Sequence, residues 1–445
     1  MEFLMKCSHY FKDKFRSKEQ RSFKSSCSAR SNDRLRVFSF SELRKATHNF
    51  NRGLKIGEGG FGSVYKGTIK PVDGKGEPLV VAIKKLGVHS YLVIGKANNS
   101  VLLLFLTRNL LVQSALLAEI RFLSVLEHPN VIKLIGYCVV DGERGLELLL
   151  VYEFMQNKSL ADHLFNHAFP PLPWKTRLQI LLGAAQALAY LHEGFGVQVI
   201  HRDFKASALL LDEKFNPKLS DFGLAREGPM AADEYVSSRD DSNKVLLLAI
   251  RLLGLSAAPE YIATGHLSYK SEVWGFGVVL YVILSGRRSF DHNRPTSEQS
   301  LVEWVKQFPA NCERFGRIMD PRLENQYSIG AAGEIAKLAD ACLSNIPKER
   351  PKMSEVVERL KHIIQVSEEG IQDEDANELL IIKYALESFL KAERKGKVLL
   401  IVESDSTTAV KWIEDYKSRP RKLWDMLKEI DSLVSRIGTF RAVSF

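Results

Sequence analysis

Gly57, Gly59 and Gly62, three of the four glycines in the run GEGGFGSV (57–64), leave the backbone bare there. Without side chains in the way, successive N–H groups can approach an anion as large as a triphosphate. The run falls between two expected strands and does not open a helix, which speaks against a dinucleotide fold. VAIK (81–84) follows on the next expected strand and places the Lys84 ammonium for α- and β-phosphates. Farther along stand IHRDFKAS (200–207) and DFG (221–223), each with a carboxylate at its centre or head. A single glycine motif is weak evidence; four motifs in this order and approximate spacing are not a chance arrangement.

The elements that must carry these groups can be read from pattern. From Leu54 to Val88, glycines alternate with β-branched and apolar residues, as in SVYKGTI and LVVAIKKL, and PVDGKGEP (71–78) is a loop. This predicts an antiparallel sheet. Before it, FSFSELRKATHNF (38–50) shows apolar residues at helical spacing after Ser41, a candidate N-cap. Beyond Trp174 the stretches become long and helical, as in WKTRLQILLGAAQALAYLHE (174–193). A small β-rich lobe followed by a larger helical one is an α+β architecture.

The ordered motifs resemble those of protein kinases, and NFNRGLKIGEGGFGSVYKG, HRDFKAS, KLSDFGLAREGP, TGHLSYKSEVWGFGVVLY and KERPKMSEVVE are similar to runs of plant receptor-like cytoplasmic kinases. The resemblance covers roughly residues 38–366 and implies the bilobal kinase fold, with a five-strand small lobe, and Ser/Thr phosphorylation using ATP and Mg²⁺. It implies Asp203 as catalytic base, Lys205 at the γ-phosphate and Asp221 as metal ligand. Around ATP it places Gly57, Gly59, Gly62 and Val64 over the nucleotide, and Lys84 paired with Glu119 of the helix that the family calls helix C. Tyr152 becomes the residue guarding the back of the site, Glu153 and Met155 hold the adenine through their backbones, and Leu210 lies beneath the ring. Lys205 followed by Ser207 suggests transfer to Ser or Thr more than to Tyr. Arg202 before Asp203 resembles kinases switched on by activation-loop phosphorylation, with Tyr235, Ser237 and Ser238 as candidate sites.

Several positions depart from that pattern. HRDFKASA puts Ala208 where an Asn should ligate a second Mg²⁺, and a methyl cannot do so. Lys84 and Glu119 are 35 residues apart, which predicts an insert over 87–115, rich in Leu and Val and without an acidic residue. An insert there is expected to disturb helix C. KVLLLAIRLLGLS (244–256) replaces the stretch before AAPE (257–260), so the peptide-docking threonine is missing. Glu272 stands where relatives of this kind have Asp to brace the catalytic loop, while Glu260 keeps its expected partner Arg350. A pseudokinase scaffold with weak or no catalysis is therefore the alternative to an active enzyme.

Charge and composition bound the rest. The chain has 445 residues, 62 Lys and Arg against 53 Asp and Glu, and a net charge of +9. Residues 1–36 hold ten Lys and Arg against four Asp and Glu, so they carry much of that surplus. Such an arm, interleaved with Phe3, Phe11, Phe15 and Phe23, suits an anionic membrane surface, and a solvated tail is its plain alternative. Cys7 is a candidate for palmitoylation, whereas Glu2 excludes myristoylation at that position. Five widely spaced cysteines without a CxxC pair argue against a disulfide framework or a zinc site, and for a reducing, intracellular compartment, while the basic arm and the resemblance imply a cytoplasmic protein peripheral at the plasma membrane. No apolar run is long enough to span a bilayer.

The expected divisions are a basic, disordered arm (1–37), a small lobe (38–155), a large lobe (156–366) and a C-terminal piece (367–445). In that piece, residues 376–413 resemble the middle of retroelement ribonuclease H domains, which would align Glu378 and Asp405 with two of that family's metal carboxylates. The other two acidic positions have no equivalent, so no nuclease activity and no nucleic-acid partner are expected. The expected partners are protein substrates and an upstream receptor kinase complex.

Overall fold

A computed structural model describes residues 35–59, 62–71, 76–87, 100–142, 145–194, 196–228, 258–265, 268–310, 312, 314–324, 326–369, 382–383, 386, 400–404, 407–415, 424–437 and 440–444. The chain divides into two compact units, one built from residues 1–327 and 333–360, the other from residues 328–332 and 361–445.

The first unit begins with strand β1 (Arg36–Val37) and helix α1 (Phe40–Ala46). Helix α1 starts where Ser39 accepts the Glu42 N–H at 3.2 Å, satisfying one of the donors that every helix start leaves unpaired. Strands β2 (Lys55–Gly59), β3 (Gly62–Ile69) and β4 (Leu79–Leu86) then run antiparallel, followed by helix α2 (Ser100–Leu123) and strands β5 (Leu134–Gly142) and β6 (Gly145–Glu153). The sheet has six strands in the order β1-β5-β6-β4-β3-β2. The sequence predicts five; the sixth is β1, which pairs in parallel with Gly136 and Tyr137 of β5. Arg36 and Val37 fall within the arm expected to be disordered, but their register with β5 makes them part of the sheet. A side chain at residue 136 would approach the Arg36 carbonyl to 2.0 Å, so this pairing requires Gly136.

Phe38 and Leu43 pack with Ile69, Val81, Ile83, Cys138, Leu149 and Val151 into one buried cluster. Leu149 and Val151 alternate with Leu148 and Leu150, and all four are fully buried, so β6 is covered on both faces. Leu150 pairs with Lys84 in register and thus shares its face. The sequence periodicity of 2 therefore decides which residues meet the site and which meet α1.

The insert expected over 87–115 does not displace the later part of helix C. Residues 100–115 form the first turns of α2, a continuous helix of 24 residues. Val112, Ala115 and Leu116 are buried, so the insert's last residues already belong to the packed part of the helix. Lengthening a helix at its N-terminus leaves the register of its later turns unchanged.

The large lobe contains α3 (Leu160–Phe165), α4 (Trp174–Ala189), short strands β7 (Val199–Ile200), β8 (Leu209–Leu211), β9 (Pro217–Leu219) and β10 (Arg226–Glu227), then α5 (Pro259–Thr264), α6 (Tyr269–Ser285), α7 (Leu301–Val305), α8 (Ile329–Cys342) and α9 (Met353–Glu369). Ser159 and Asp162 form a reciprocal capping box at the start of α3. Helix α6 is its buried axis, apolar almost throughout, and ends at Gly286 in the left-handed conformation (φ 64°). Buried Arg177 binds Asp320 at 2.6 Å and the carbonyls of Ile283 and Leu172 at 2.7 and 3.0 Å, tying α4 to α6. Arg350 grips Glu260 through two 2.8 Å bonds, the pairing expected from the sequence.

In the second unit, β11 (Leu400–Ser404) pairs in parallel with β12 (Phe440–Ser444), beside helices α10 (Thr407–Glu414) and α11 (Trp424–Ile437). Ile382, Leu386, Ala409, Trp412, Leu427, Ile430 and Leu433 form its core. Glu378 and Asp405 lie outside the described residues, as do Tyr235, Ser237, Ser238 and residues 1–34. No helix among the described residues is long and apolar enough to cross a membrane.

Candidate active site

The site is assembled from both lobes. Strand β4 carries Lys84 opposite Val64 of β3, and Val64 in turn pairs with Gly57. Gly59 and Gly62 close the β2–β3 hairpin. Gly62 has φ 145°, and a Cβ there would fall 2.1 Å from the Lys85 carbonyl, so no side chain fits. At Gly57 and Gly59 the space is open, with nothing nearer than 3.7 Å at the former and nothing within 4 Å at the latter. Glycine is there required by nothing among the described residues, which fits close approach by a ligand.

Lys84 is the centre of a polar chain that runs from buried Glu119 to partly exposed Asp221. Its Nζ lies 2.9 Å from Oε1 of Glu119 on α2 and 2.6 Å from Oδ1 of Asp221. Helix α2 is therefore seated against the sheet, contrary to the disturbance that the insert suggested. Burial alone would lower the Lys84 pKa, but the two carboxylates outweigh it and hold the ammonium above the ordinary lysine value. The same ammonium holds Asp221 below the usual carboxylate range. On the other side of Glu119, the Tyr152 hydroxyl donates to Oε2 at 2.7 Å. Burial, then the Glu119 charge, pushes the Tyr152 phenol well above its ordinary pKa, so it remains a donor.

Asp221 adopts the left-handed conformation (φ 70°, ψ 55°), which turns the chain so that Phe222 is buried perpendicular to His201, with ring centres 4.8 Å apart. A Cβ at Gly223 would come to 3.0 Å of the Ala115 Cβ, so α2 and the DFG segment are in close contact. Asp203 lies on the loop between β7 and β8, where both its oxygens accept from Lys205 Nζ at 2.8 and 2.7 Å. Arg202 next to it has φ 72°, a strained value for a non-glycine residue and one that surrounding bonds must hold. Glu272 of α6 supplies that hold: Oε1 accepts the Arg202 N–H while Oε2 meets His192 Nε2 at 2.7 Å. Burial would raise the Glu272 pKa, but the His192 bond and charge lower it further, and the carboxylate is kept ionised. Thus Glu272, despite differing from the expected Asp, does reach the catalytic loop.

Ala208 is buried, and its carbonyl accepts both the N–H and the hydroxyl of Ser220, at 2.8 and 2.9 Å. Glu153 ends β6, with its N–H donating to the Lys133 carbonyl at 3.1 Å, and Met155 is buried just beyond it. Leu210, half-buried in β8, pairs with Lys218 of β9.

A family model described as protein tyrosine and serine/threonine kinase matches residues 50–360. The chain belongs to the protein kinase family. Similar proteins include the probable serine/threonine-protein kinase PBL20 of Arabidopsis thaliana, 50% identical over 339 residues that span 76% of this chain and 78% of that protein. The serine/threonine-protein kinases PCRK2 and PCRK1 of the same plant are each 43% identical, over 79% and 75% of this chain and 76% and 73% of theirs. The bilobal fold and the Ser/Thr kinase function expected from the motifs agree with that family and those relatives.

The kinase thus gathers Lys84, Glu119 and Asp221 into one contact set and Asp203 with Lys205 into another. Sequence pattern identifies Tyr152 by position but not its bond to Glu119, and it misses His192 as the second partner of Glu272. Both contacts join residues 33 and 80 positions apart, and no local pattern encodes them.

Proposed function

We propose that this kinase transfers the γ-phosphate of ATP to Ser or Thr hydroxyls of protein substrates, with Asp203 as the catalytic base. The observation that carries the reading is Lys84 held between Glu119 and Asp221, because it joins a small-lobe cation to the large-lobe carboxylate that faces the phosphates. Gly57, Gly59 and Gly62 offer bare backbone to the triphosphate, with Val64 above the adenine, Leu210 beneath it, and the backbones of Glu153 and Met155 along its edge.

The donors present also suit the cation that protein kinases generally use. Mg²⁺ commonly takes one or two protein carboxylates and fills its remaining positions with phosphate oxygens and water. Asp221 provides one such carboxylate. Ala208 offers only a methyl at the next position, and no cluster of three His, Cys, Asp or Glu side chains suited to a metal exists among the described residues. The residues therefore fit one ion at Asp221 and not a second at 208. Asp221 would hold such an ion, whose chemistry there would be to neutralise phosphate charge.

The chain's own groups do the rest. Lys84 binds phosphate oxygens from a position fixed by Glu119 and Tyr152. The Asp203 carboxylate accepts the substrate hydroxyl proton, and Lys205, now on both Asp203 oxygens, turns one of its donors to the γ-phosphate. Glu272 keeps the Arg202 backbone in its strained form, which aims Asp203. The basic residues of the 1–36 arm support a further reading, docking at an anionic membrane surface beside a receptor kinase complex that supplies the upstream signal.

The test is ATP/Mg²⁺ phosphotransfer to a generic Ser/Thr substrate by the full chain and by Asp203→Ala. Incorporation that disappears with Asp203→Ala is expected; equal incorporation by both would sink the assignment. Flotation of the chain with vesicles containing anionic lipid, lost on deletion of residues 1–34, tests the membrane reading.

A further inference from the structure

A cavity of about 320 Å³ lies beside Asp203 and takes in large-lobe residues that the phosphotransfer chemistry does not use. Val278, Val279 and Val282 of α6 line it. Their spacing of one and three residues puts them within one stripe of the helix, which gives the cavity an apolar wall. Phe165, which ends α3, and exposed Arg288 also border it.

Two consecutive arginines follow the end of α6, and they are used differently. The chain that carries them is pinned where the Leu301 N–H donates to the Ser289 carbonyl and the Asp291 N–H to the Gln299 carbonyl, both at 3.0 Å. Arg287 is engaged within the lobe, with Nη1 2.9 Å from Glu298 and its guanidinium carbon 3.5 Å from the centre of the Trp304 ring. Arg288 instead lies over the Phe165 ring, 4.6 Å from its centre, and no carboxylate among the described residues pairs with it. Along the cavity, three cations, Arg202, Lys205 and Arg288, face two carboxylates, Asp203 and Glu272. Both carboxylates already have partners within the chain: Lys205 holds Asp203, and the Arg202 N–H and His192 hold Glu272. The cavity therefore carries a surplus positive charge, with Arg288 placed to receive an anion from outside.

We propose that Arg288 is a specificity-determining residue, which selects protein substrates carrying an acidic side chain a few residues from the phosphoacceptor hydroxyl. The proposal rests on Asp203 as the catalytic base, because that assignment brings the hydroxyl to this cavity. A space of this volume is on the order of 9 Å across, which an extended chain crosses in about three residues. Stacking on Phe165 restrains the guanidinium, so less side-chain freedom is lost when a carboxylate arrives.

Short peptides with a central Ser and one flanking position set to Glu, Gln or Lys test the selection, with the full chain and ATP/Mg²⁺. At one position near the Ser, kcat/KM is expected to be about five-fold or more higher for Glu than for Lys, mostly through KM, the scale of an exposed charge pair turned from attraction to repulsion. Arg288→Glu should reverse that order, and Arg288→Lys should retain it. A merely structural Arg288 would slow all peptides alike in Arg288→Glu and leave their order intact. That result, or a parent indifferent to charge at every position, overturns the selection. If the parent phosphorylates none of the peptides, the catalytic reading fails by itself, and anisotropy of the same peptides carrying fluorescein decides on Arg288. Tighter binding of the Glu peptide that is lost in Arg288→Glu upholds the selection; equal binding of the Glu and Lys peptides overturns it.

Discussion

The Tyr152 hydroxyl and the Glu119 carboxylate meet at 2.7 Å inside the small lobe, on the side of Glu119 opposite Lys84. One oxygen of Glu119 thus serves the lysine and the other serves the tyrosine, so the helix bearing Glu119 is held by two independent donors. That arrangement explains how a helix prolonged by apolar residues still seats Glu119 against Lys84.

Removing the tyrosine donor tests this. Tyr152→Phe leaves one buried oxygen of a charged group without its partner, a loss of about 1.5–3 kcal/mol for a hydrogen bond to a charged acceptor. We expect kcat to fall about ten-fold or more with a smaller change in KM for ATP. Unaltered kcat would show that Lys84 alone suffices to seat Glu119.

Restoring an oxygen at position 208 should raise activity. Ala208→Asn places an amide oxygen within the loop whose carbonyl is already anchored by Ser220. Gaining a ligand for a hard cation is expected to increase the rate by about ten-fold or more and to lower the Mg²⁺ concentration needed for half-maximal rate. A rate that rises without any shift in Mg²⁺ dependence would point to a packing effect on the loop instead.

The family match begins at residue 50, yet Phe38 and Leu43 lie in the core of the small-lobe sheet. Each fully buried side chain of this size contributes about 1.5–3 kcal/mol. A chain beginning at residue 50 should therefore melt on the order of 10 °C lower than one beginning at residue 35. Equal melting temperatures would make β1 and α1 passengers.

The charges at Lys84 and Asp221 set a pH window. Asp221 titrates below its unfolded value, so its contribution is present above the ordinary carboxylate range and is lost only as pH falls through the depressed value. Lys84 titrates above its unfolded value, so its contribution is present below the ordinary lysine range and is lost as pH rises through the raised value. The difference in melting temperature between the parent and Asp221→Asn should stay flat from about pH 5 to 9 and shrink below about pH 4. A slope near neutrality would contradict the ion pair.

Much of this protein is written locally. Backbone-only demands, such as the glycine required at position 62 and alternation in β4 and β6, appear as residue types at short spacing, and so do motifs such as HRD and DFG. The sequence by itself was therefore sufficient for the two lobes and for naming Lys84, Asp203, Lys205, Asp221 and Ala208 as candidate positions. Tertiary structure alone decided the rest. Whether the insert spoiled helix C depended on the tertiary placement of its residues: 100–115 are turns of α2, continuous with the part that holds Glu119 against Lys84. The bonds of Tyr152 to Glu119, His192 to Glu272 and Lys218 to Glu153 join positions 33, 80 and 65 apart. A hydrogen bond needs its partners within about 3 Å, and only the packed chain brings such distant residues that close.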